Sequence, residues 1–531
     1  MKSNKPKQDC KSRVFGVGGC AKPKTARHPR PLASGAFSAL RMLFNSLHFL
    51  VFFPVVVGLY YGLPPRWRGP LLLLASYYFY MSWRAAYALL LLATTLLDYY
   101  SGYRMSQLPT KQARRPWLYL SLVSNLGTLF VFKYFNFFRV GLEELAGALH
   151  LPFAAGPALG LLLPVGVSFY TFQSVGYIID VYQGRLEAER NFGRFALFVA
   201  FFPQLVAGPI ERGGHMLPQF KQTQTFDYQR VVSGLRLMAW GLFKKVVVAD
   251  RLALLVNPVF NNPRQHPEGP LLLLATLAFT FQIYGDFSGY TDLARGAARV
   301  LGFEFNLNFR QPYLSASVPE FWRRWHISLS SWFRDYLYIP LGGSRVGPGR
   351  AYGNLLAVFL ISGLWHGANW TFLVWGGLHG FYLVASTWAR PARERLAQLT
   401  GLAAHPQLRQ VGGVVITFAL VAYAWIFFRA NNLGDAVFIS QHLFSGWGNL
   451  NGRQVATLLL DFSQHYRPEL AVAALGVGIM LLVEYLGRNR SPQVWVAAQP
   501  FALRWGGYVG LALLIFYLGV FNSTSFIYFQ F

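Results

Sequence analysis

The sequence contains almost no cysteine. Only Cys10 and Cys20 occur among 531 residues, so residues 21–531 hold neither a disulfide framework nor a thiol nucleophile. The sequence also lacks a G-x-x-x-x-G-K-[ST] phosphate loop and a dinucleotide-binding fingerprint, which leaves an ATP-driven pump unsupported. A superficial G-x-S-x-G likeness around Ser288, in "GDFSGYTDLA", has the wrong spacing for a serine hydrolase.

Charged residues are scarce as well. They make up 13% of the chain and hydrophobic residues 54%, whereas ordinary soluble proteins carry about 25% charged residues. Apolar runs of about 20 residues, long enough to cross a bilayer, recur without the alternation of barrel strands. We therefore predict an all-α polytopic membrane protein with roughly eleven to thirteen membrane segments. The candidate segments are 44–62, 69–100, 116–138, 157–180, 193–210, 233–258, 270–292, 353–387, 410–428, 470–486 and 505–524, of which 69–100 and 353–387 are each long enough for two.

Acidic residues are outnumbered, 21 against 48 basic ones, and the net charge is +27. The basic residues form short tracts between apolar runs, such as 104–115 and 388–396. This pattern favours cytoplasmic loops and contact with anionic lipid headgroups over nucleic-acid binding. Residues 1–41 are basic, rich in Pro and Gly, and lack an apolar stretch long enough for a secretory signal. They are either a disordered cytosolic tail or a misassigned start, with translation beginning at Met42; the membrane domain is 42–531.

Two apolar segments carry polar and helix-breaking residues. One contains Pro164, Gln173 and Asp180, and the other contains Asp286 and Asp292. Such groups are tolerated in a membrane only where protein or a water-filled cavity surrounds them, so we expect a cavity in the bundle. For Asp286 a structural bond to a neighbouring helix is favoured, with proton relay or substrate orientation as the alternative.

The segment "FWRRWHISLSSWFRDYLYIPLGGSR", residues 321–345, is too charged to span a membrane. At about 100° per residue, one helix would place its aromatic residues on one face and its arginines on another. This predicts an amphipathic helix lying at the membrane surface, ended by Pro340 and the pair Gly342-Gly343. His326 falls within the aromatic stripe, where a structural role and a role in a site both stay open.

A second segment, "ISGLWHGANWTFLVWGGLHG", places His366 and His379 in apolar surroundings. An ionisable residue inside a membrane segment marks a site by default, and imidazole can act as a general base. His366 is therefore the stronger candidate. On one unbroken helix His379 would lie about 220° around and about 20 Å away, so we expect it to face away with a structural or secondary role. A metal pair at i, i+4 spacing is absent from this segment, and we predict no metal site.

Several long motifs occur in a familiar order: "SFYTFQSVGYIIDVYQG", "FFPQLVAGPIER", "IYGDFSGYTDLARG", "FWRRWHISLSSWFRDYLYIPLGGSR", "GLWHGANW" and the terminal "FIYFQF". Together they resemble the membrane-bound O-acyltransferase (MBOAT) family, and within it the bacterial branch that serves alginate O-acetylation. The resemblance covers about 42–531. It implies a ring of tilted helices around a central tunnel, with His366 at the invariant histidine and His326 at the second polar position.

The resemblance also implies the chemistry. A cytosolic acetyl-CoA, which is a substrate and not a bound cofactor, would supply the acetyl group, with His366 as base and His326 orienting or polarising. Transfer through the inner membrane would serve an extracytoplasmic polysaccharide through a periplasmic partner with a serine-hydrolase-like site. The acceptor could also be peptidoglycan, cellulose or teichoic acid, the last with an aminoacyl carrier protein as donor. Our candidate substrate-binding residues are Trp322, Arg323, Arg324, Trp325, Asp286 and Asn369.

Two readings from other classes stay open. In the first, the chain is a channel or transporter that uses His366 and Asp286 as a proton relay. In the second, it is a scaffold for an export complex. Replacement of His366 separates them, because only the scaffold would tolerate its loss.

Overall fold

The computed structural model describes residues 42–152, 156–205, 208–447, 467–487, 496–521 and 526–527. The two alternatives for residues 1–41 lie outside this part of the chain. The described residues form helices and connecting segments without a β-strand, which confirms the all-α class. The helices are α1 Leu47–Gly62, α2 Pro65–Met81, α3 Ala85–Ser106, α4 Lys111–Leu129, α5 Phe135–Ala148, α6 Val167–Gln183, α7 Phe192–Ala200, α8 Phe202–Leu205, α9 Gly213–Lys221, α10 Tyr228–Phe243, α11 Asp250–Asn261, α12 Gly269–Val300, α13 Val318–Arg324, α14 Ile327–Phe333, α15 Pro348–His366, α16 Trp370–Trp388, α17 Arg390–Leu399, α18 Pro406–Arg429, α19 Leu433–His442, α20 Arg467–Leu486 and α21 Phe501–Leu518.

Three segments of the described residues are π-helical: two join consecutive α-helices without a break, and the third extends α14 to its end. They are Phe130–Tyr134 between α4 and α5, Lys244–Ala249 between α10 and α11, and Arg334–Tyr338 after α14. Short 3₁₀ turns occur at Pro263–Gln265, Pro312–Leu314 and Leu402–Ala404. A π-helical turn reorients the side chains that follow it and is frequent at functional sites.

Five of the described helical stretches are long and apolar enough to cross a membrane: Lys111–Ala148, Gly269–Val300, Pro406–Arg429, Glu469–Leu486 and Phe501–Leu518. The chain is thus a multi-pass membrane protein, although this number is smaller than the eleven to thirteen segments predicted. Part of the difference arises because several apolar runs are divided into shorter helices. The run 193–210 becomes α7 and α8, and the run 157–180 is helical only from Val167. The ring of helices around a tunnel stays a prediction.

The longest helix, α12, forms the centre of the bundle. Most of its 32 residues are buried, and it packs along α10. Their backbones meet at Gly241 and Gly289, where an added Cβ would lie 2.6 Å and 2.8 Å from the opposite carbonyl oxygen. Small residues allow this close approach between membrane helices.

Buried charges join α12 to the second π-helical segment. Lys245 pairs at 2.7 Å with both Asp250 and Asp286, and Lys244 pairs at 2.6 Å with Asp292. Charges in a membrane interior require partners of opposite sign. The π-helical turn lets two consecutive lysines reach carboxylates on α12.

The segment 353–387 is a hairpin of two antiparallel helices. Helix α15 ends at His366 and α16 begins at Trp370, so the unbroken helix considered above is wrong. The helices touch at Gly363 and Gly376, where an added Cβ would overlap the carbonyls of Phe372 and Phe359, respectively. The hairpin therefore places His366 at its tip.

The single amphipathic helix predicted over 321–345 is also wrong. The chain forms α13 and α14, separated by Trp325 and His326. Asn308 produces the break, because its carbonyl accepts a hydrogen bond from the Ile327 amide and its Oδ1 accepts one from the Ser328 amide. The predicted end is confirmed: the last π-helical segment stops before Pro340, and Gly342 and Gly343 have positive φ.

Candidate active site

His366 occupies the last position of α15 and is 4% exposed. The rings of Trp365, Trp375 and Phe428 surround its imidazole, with centroids 4.9, 5.0 and 5.2 Å away. This apolar cage fixes the ring and keeps bulk water from it. A helix end exposes backbone carbonyls that need partners, so the position of His366 also depends on how α15 is capped.

His326 lies beside His366 although 40 residues separate them in the sequence. The two ring centroids are 6.4 Å apart, and His326 is 1% exposed. Its backbone has the left-handed conformation, with φ +43° and ψ 55°. This conformation is uncommon outside glycine and is found at functional sites. The ring packs edge-on against Phe287, at 4.6 Å.

A small cavity of about 60 Å³ reaches His366. Its wall includes Lys133, the first turn of α6 from Gly166, and the ring of Phe169. Lys133 donates hydrogen bonds to the carbonyls of Trp365, at 2.6 Å, and of His366, at 2.9 Å. The cavity is therefore lined by an imidazole and by the side chain of a lysine.

A second cavity, of about 1070 Å³, opens beside α13. Arg310, Arg323 and Arg324 contribute to its wall, together with Glu320. Arg324 pairs with Glu320 at 2.5 Å, and Arg323 is exposed. Such a cationic surface suits an anionic group, for example a phosphate. The remaining lining residues are Gln311, Leu314, Gln407, Gln410, Val411, Val414, Val415 and Tyr485.

Comparison with known proteins identifies the family. The profile of the membrane-bound O-acyltransferase family, MBOAT, matches residues 189–429. The sequence is 43% identical over 435 residues to the probable alginate O-acetylase AlgI of Pseudomonas aeruginosa, a match that covers 79% of this chain and 80% of that protein. The chain belongs to the membrane-bound O-acyltransferase family. It is an O-acyltransferase, and the matched range, residues 189–429, includes both His326 and His366.

Other relatives share this part of the chain. The peptidoglycan O-acetyltransferase of Helicobacter pylori is 35% identical over 455 residues, covering 80% of this chain and 83% of that protein. The teichoic acid D-alanyltransferase of Streptococcus thermophilus is 29% identical over 286 residues, covering 50% and 68%. The MBOAT relatives therefore bear names that refer to three different acceptors.

The other histidine of the hairpin has a bonding partner in this MBOAT protein. His379 Nδ1 lies 3.2 Å from Nε1 of Trp322, which donates the hydrogen bond. The Trp375 ring is 5.0 Å from both His379 and His366. His379 therefore packs against Trp375, one of the rings around His366. It does not face away from His366 as the prediction from an unbroken helix required.

The remaining candidate substrate-binding residues of the acyltransferase do not form one site. Asp286 pairs with Lys245 and accepts a hydrogen bond from the Ile527 amide at 2.7 Å, which is the structural contact favoured from the sequence. Asn369 caps α16 by accepting from the Thr371 amide. Trp325 is fully buried, while Arg323 and Arg324 line the second cavity.

Sequence reasoning missed two residues of the site. Lys133 could have been recognised from the sequence, because an ionisable residue inside the apolar run 116–138 indicates a functional site. Asn308 gave no comparable signal, since it lies in the polar segment before α13. Among the residues that the structure describes, no group of three or more His, Cys, Asp or Glu side chains has the geometry of a metal site.

Proposed function

We propose that this chain transfers acetyl groups from cytosolic acetyl-CoA across the inner membrane for O-acetylation of an extracytoplasmic polysaccharide such as alginate. The observation that carries the proposal is the pair of buried imidazoles, His366 and His326, whose ring centroids lie 6.4 Å apart and of which His366 lines a cavity. The 43% identity to a probable alginate O-acetylase supports an acetyl group and a polysaccharide.

In the proposed reaction His366 is the general base. Its imidazole takes the proton of the acceptor hydroxyl as the hydroxyl oxygen forms a bond to the acetyl carbonyl carbon. The carbon–sulfur bond then breaks, and the CoA thiolate receives the proton from His366. His326, whose ring lies 6.4 Å from that of His366, orients or polarises the thioester. The surrounding rings exclude water, which would otherwise hydrolyse the thioester.

The second cavity supports a phosphate-bearing donor. Arg310, Arg323 and Arg324 line it, and Gln407 and Gln410 place it at the beginning of α18. The basic tract 388–396 lies at the same end of the hairpin and of α18, and basic loops favour the cytosolic side. Acetyl-CoA would bind there through its phosphates, with its thioester directed towards the histidines.

The acceptor is proposed to be reached through a periplasmic protein with a serine-hydrolase-like site. The acetylated hydroxyl would then belong either to that protein's serine or to the polysaccharide itself. The peptidoglycan O-acetyltransferase of Helicobacter pylori, at 35% identity, makes peptidoglycan the second candidate acceptor. Both acceptors carry hydroxyl groups and would use His366 in the same way.

The decisive test is the variant His366→Ala, with His405→Ala as the control. His405 is an exposed histidine before α18, so its loss should leave activity unchanged. We expect His366→Ala to reduce CoA release from acetyl-CoA by about 10²- to 10⁴-fold, the usual contribution of a general base. O-acetyl content of the exported polysaccharide in the complemented deletion strain should fall in parallel. Acetylation at the wild-type level would exclude His366 as the base.

The alternative hypothesis, a channel or transporter, requires a proton relay between Asp286 and His366. Instead, Asp286 makes an ion pair with Lys245 and accepts from the Ile527 amide. These contacts support a structural role, and we therefore favour the transferase.

A further inference from the structure

The end of α15 is capped by a neighbouring helix. In any α-helix the last four carbonyls lack partners within the helix. Here the Gly363 carbonyl accepts from the Gly367 amide, and the Leu364 carbonyl accepts from the Tyr134 hydroxyl at 3.0 Å. Lys133 supplies both remaining hydrogen bonds, to the carbonyls of Trp365 and His366. Side chains therefore satisfy the terminal carbonyls next to the proposed base.

The two capping residues are consecutive, and their placement depends on the first π-helical segment, Phe130–Tyr134. In a regular α-helix, consecutive side chains point about 100° apart. Here Lys133 and Tyr134 both reach carbonyls at the end of α15. π-Helical turns of this kind are frequent at functional sites.

Burying the polar end of Lys133 inside an apolar helical stretch costs free energy unless specific hydrogen bonds compensate for it. Lys133 lies in a stretch long and apolar enough to cross a membrane, Lys111–Ala148, where a cation is expensive. It donates hydrogen bonds to two backbone carbonyls at the negative end of the α15 dipole. Lys133 also lines the 60 Å³ cavity together with His366.

We propose that Lys133 is a positioning residue for acyl transfer: its terminal nitrogen donates hydrogen bonds to the last two carbonyls of α15 and so holds His366 against the cavity. The inference rests on the proposed function, because it assigns the purpose of this clamp to the general base. Without the clamp α15 would fray at its last residue, and the imidazole would lose its fixed place. A displacement of about 1 Å in a catalytic group can cost about 10²-fold in rate.

The test compares Lys133→Met, Lys133→Arg and Arg139→Met. Methionine keeps an unbranched side chain but cannot donate, whereas arginine can still bridge two carbonyls. Arg139 is the matched control, a cation on the following helix that pairs with Glu143 at 3.0 Å. The assay is release of free CoA from acetyl-CoA by the full-length protein with its partner, together with thermal unfolding in detergent.

We expect Lys133→Met to lower kcat by about 10- to 100-fold with KM for acetyl-CoA unchanged, because the donor cavity lies elsewhere. Lys133→Arg should restore most of kcat, and Arg139→Met should behave as wild type. A Lys133→Met kcat close to wild type overturns the inference. So does a loss of kcat that follows a loss of thermal stability and is not rescued by arginine, since that result means a folding role.

Two further variants keep the result interpretable. If Lys133→Met does not fold, Tyr134→Phe removes one capping bond and keeps the charge; it should lower kcat by a smaller factor at unchanged KM, and an unchanged kcat counts against the clamp. His366→Ala separates the two proposals. If His366→Ala is inactive while Lys133→Met is normal, only the clamp fails; if His366→Ala is active, the proposed base fails.

Discussion

His326 combines a strained backbone conformation with an imidazole ring that lies beside His366. An L-residue in the left-handed region costs roughly 1–2 kcal/mol relative to the right-handed one, and His326 has φ +43°. The hydrogen bonds from Ile327 and Ser328 to Asn308 hold this conformation. The left-handed conformation of His326 turns the chain between α13 and α14. This turn brings the imidazole of His326 to 6.4 Å from that of His366.

Substitutions at His326 should separate this backbone demand from the chemistry. Glycine adopts the left-handed conformation without strain, whereas alanine does not. We expect His326→Gly to be about 1 kcal/mol more stable than His326→Ala, as measured by thermal unfolding in detergent, while both variants lose most acetyl transfer. Equal stability of the two variants would contradict the strained backbone. Full activity of His326→Gly would contradict a chemical role for the ring.

The residues of the site differed in how visible they were in the sequence. His366 could be found because an imidazole inside an apolar run is costly and therefore informative. Lys133 met the same criterion, but its purpose depended on contacts with carbonyls 232 and 233 positions away. No local pattern contains such contacts. The aromatic cage of His366 likewise combines α15, α16 and α18, and only the packed helices reveal it.

At the scale of helices, the sequence predicted which faces are buried better than where helices end. The wheel over 321–345 grouped Trp322, Trp325, His326, Leu329, Phe333 and Tyr336, of which all but the half-buried Tyr336 are buried. It failed at the break, because "RRWHIS" contains neither glycine nor proline and the interruption comes from Asn308, a tertiary contact. The break between α15 and α16 had local signals in Gly367 and the capping residue Asn369.

The contact between α15 and α16 predicts opposite outcomes for two glycines. In Gly363→Ala the new methyl group would overlap the Phe372 carbonyl, so α15 must move and carry His366 with it. We expect a loss of about 1–3 kcal/mol, the usual cost of overpacking, and a lower kcat. In the control Gly377→Ala the methyl group meets only Leu360, at 3.7 Å, and stability should be unchanged or slightly raised. Thermal unfolding and CoA release of both variants measure this difference, and a stable, active Gly363→Ala would contradict the close packing.

At the scale of the whole molecule, the positive-inside rule predicts that the two basic tracts 104–115 and 388–396 lie on the same face of the membrane. The tract 104–115 runs from the end of α3 into the first turn of α4, and the tract 388–396 runs from the end of α16 into α17. The stretch Lys111–Ala148 begins within the first tract and is long and apolar enough to cross a membrane, so we expect its far end on the opposite face. In this orientation the cavity beside Lys133 would lie towards the face opposite the basic tracts, and the arginine-lined cavity, at the start of α18, would lie near the tract 388–396. The proposed transfer requires this order, with the donor on the cytosolic side and the acceptor on the outer side.

Cysteine labelling can test the orientation directly, because the membrane domain has no cysteine of its own. In a chain with Cys10→Ser and Cys20→Ser, single cysteines are introduced as Arg395→Cys, on α17, or as Ala148→Cys, at the end of α5; both positions are exposed. In intact spheroplasts a membrane-impermeant maleimide should label the variant Ala148→Cys. It should label Arg395→Cys only after permeabilisation, because the positive-inside rule places the basic tract in the cytosol. The reverse pattern would put the Lys133 cavity on the cytosolic side, and acetyl-CoA would then have to meet His366 from the face that the proposal reserves for the acceptor.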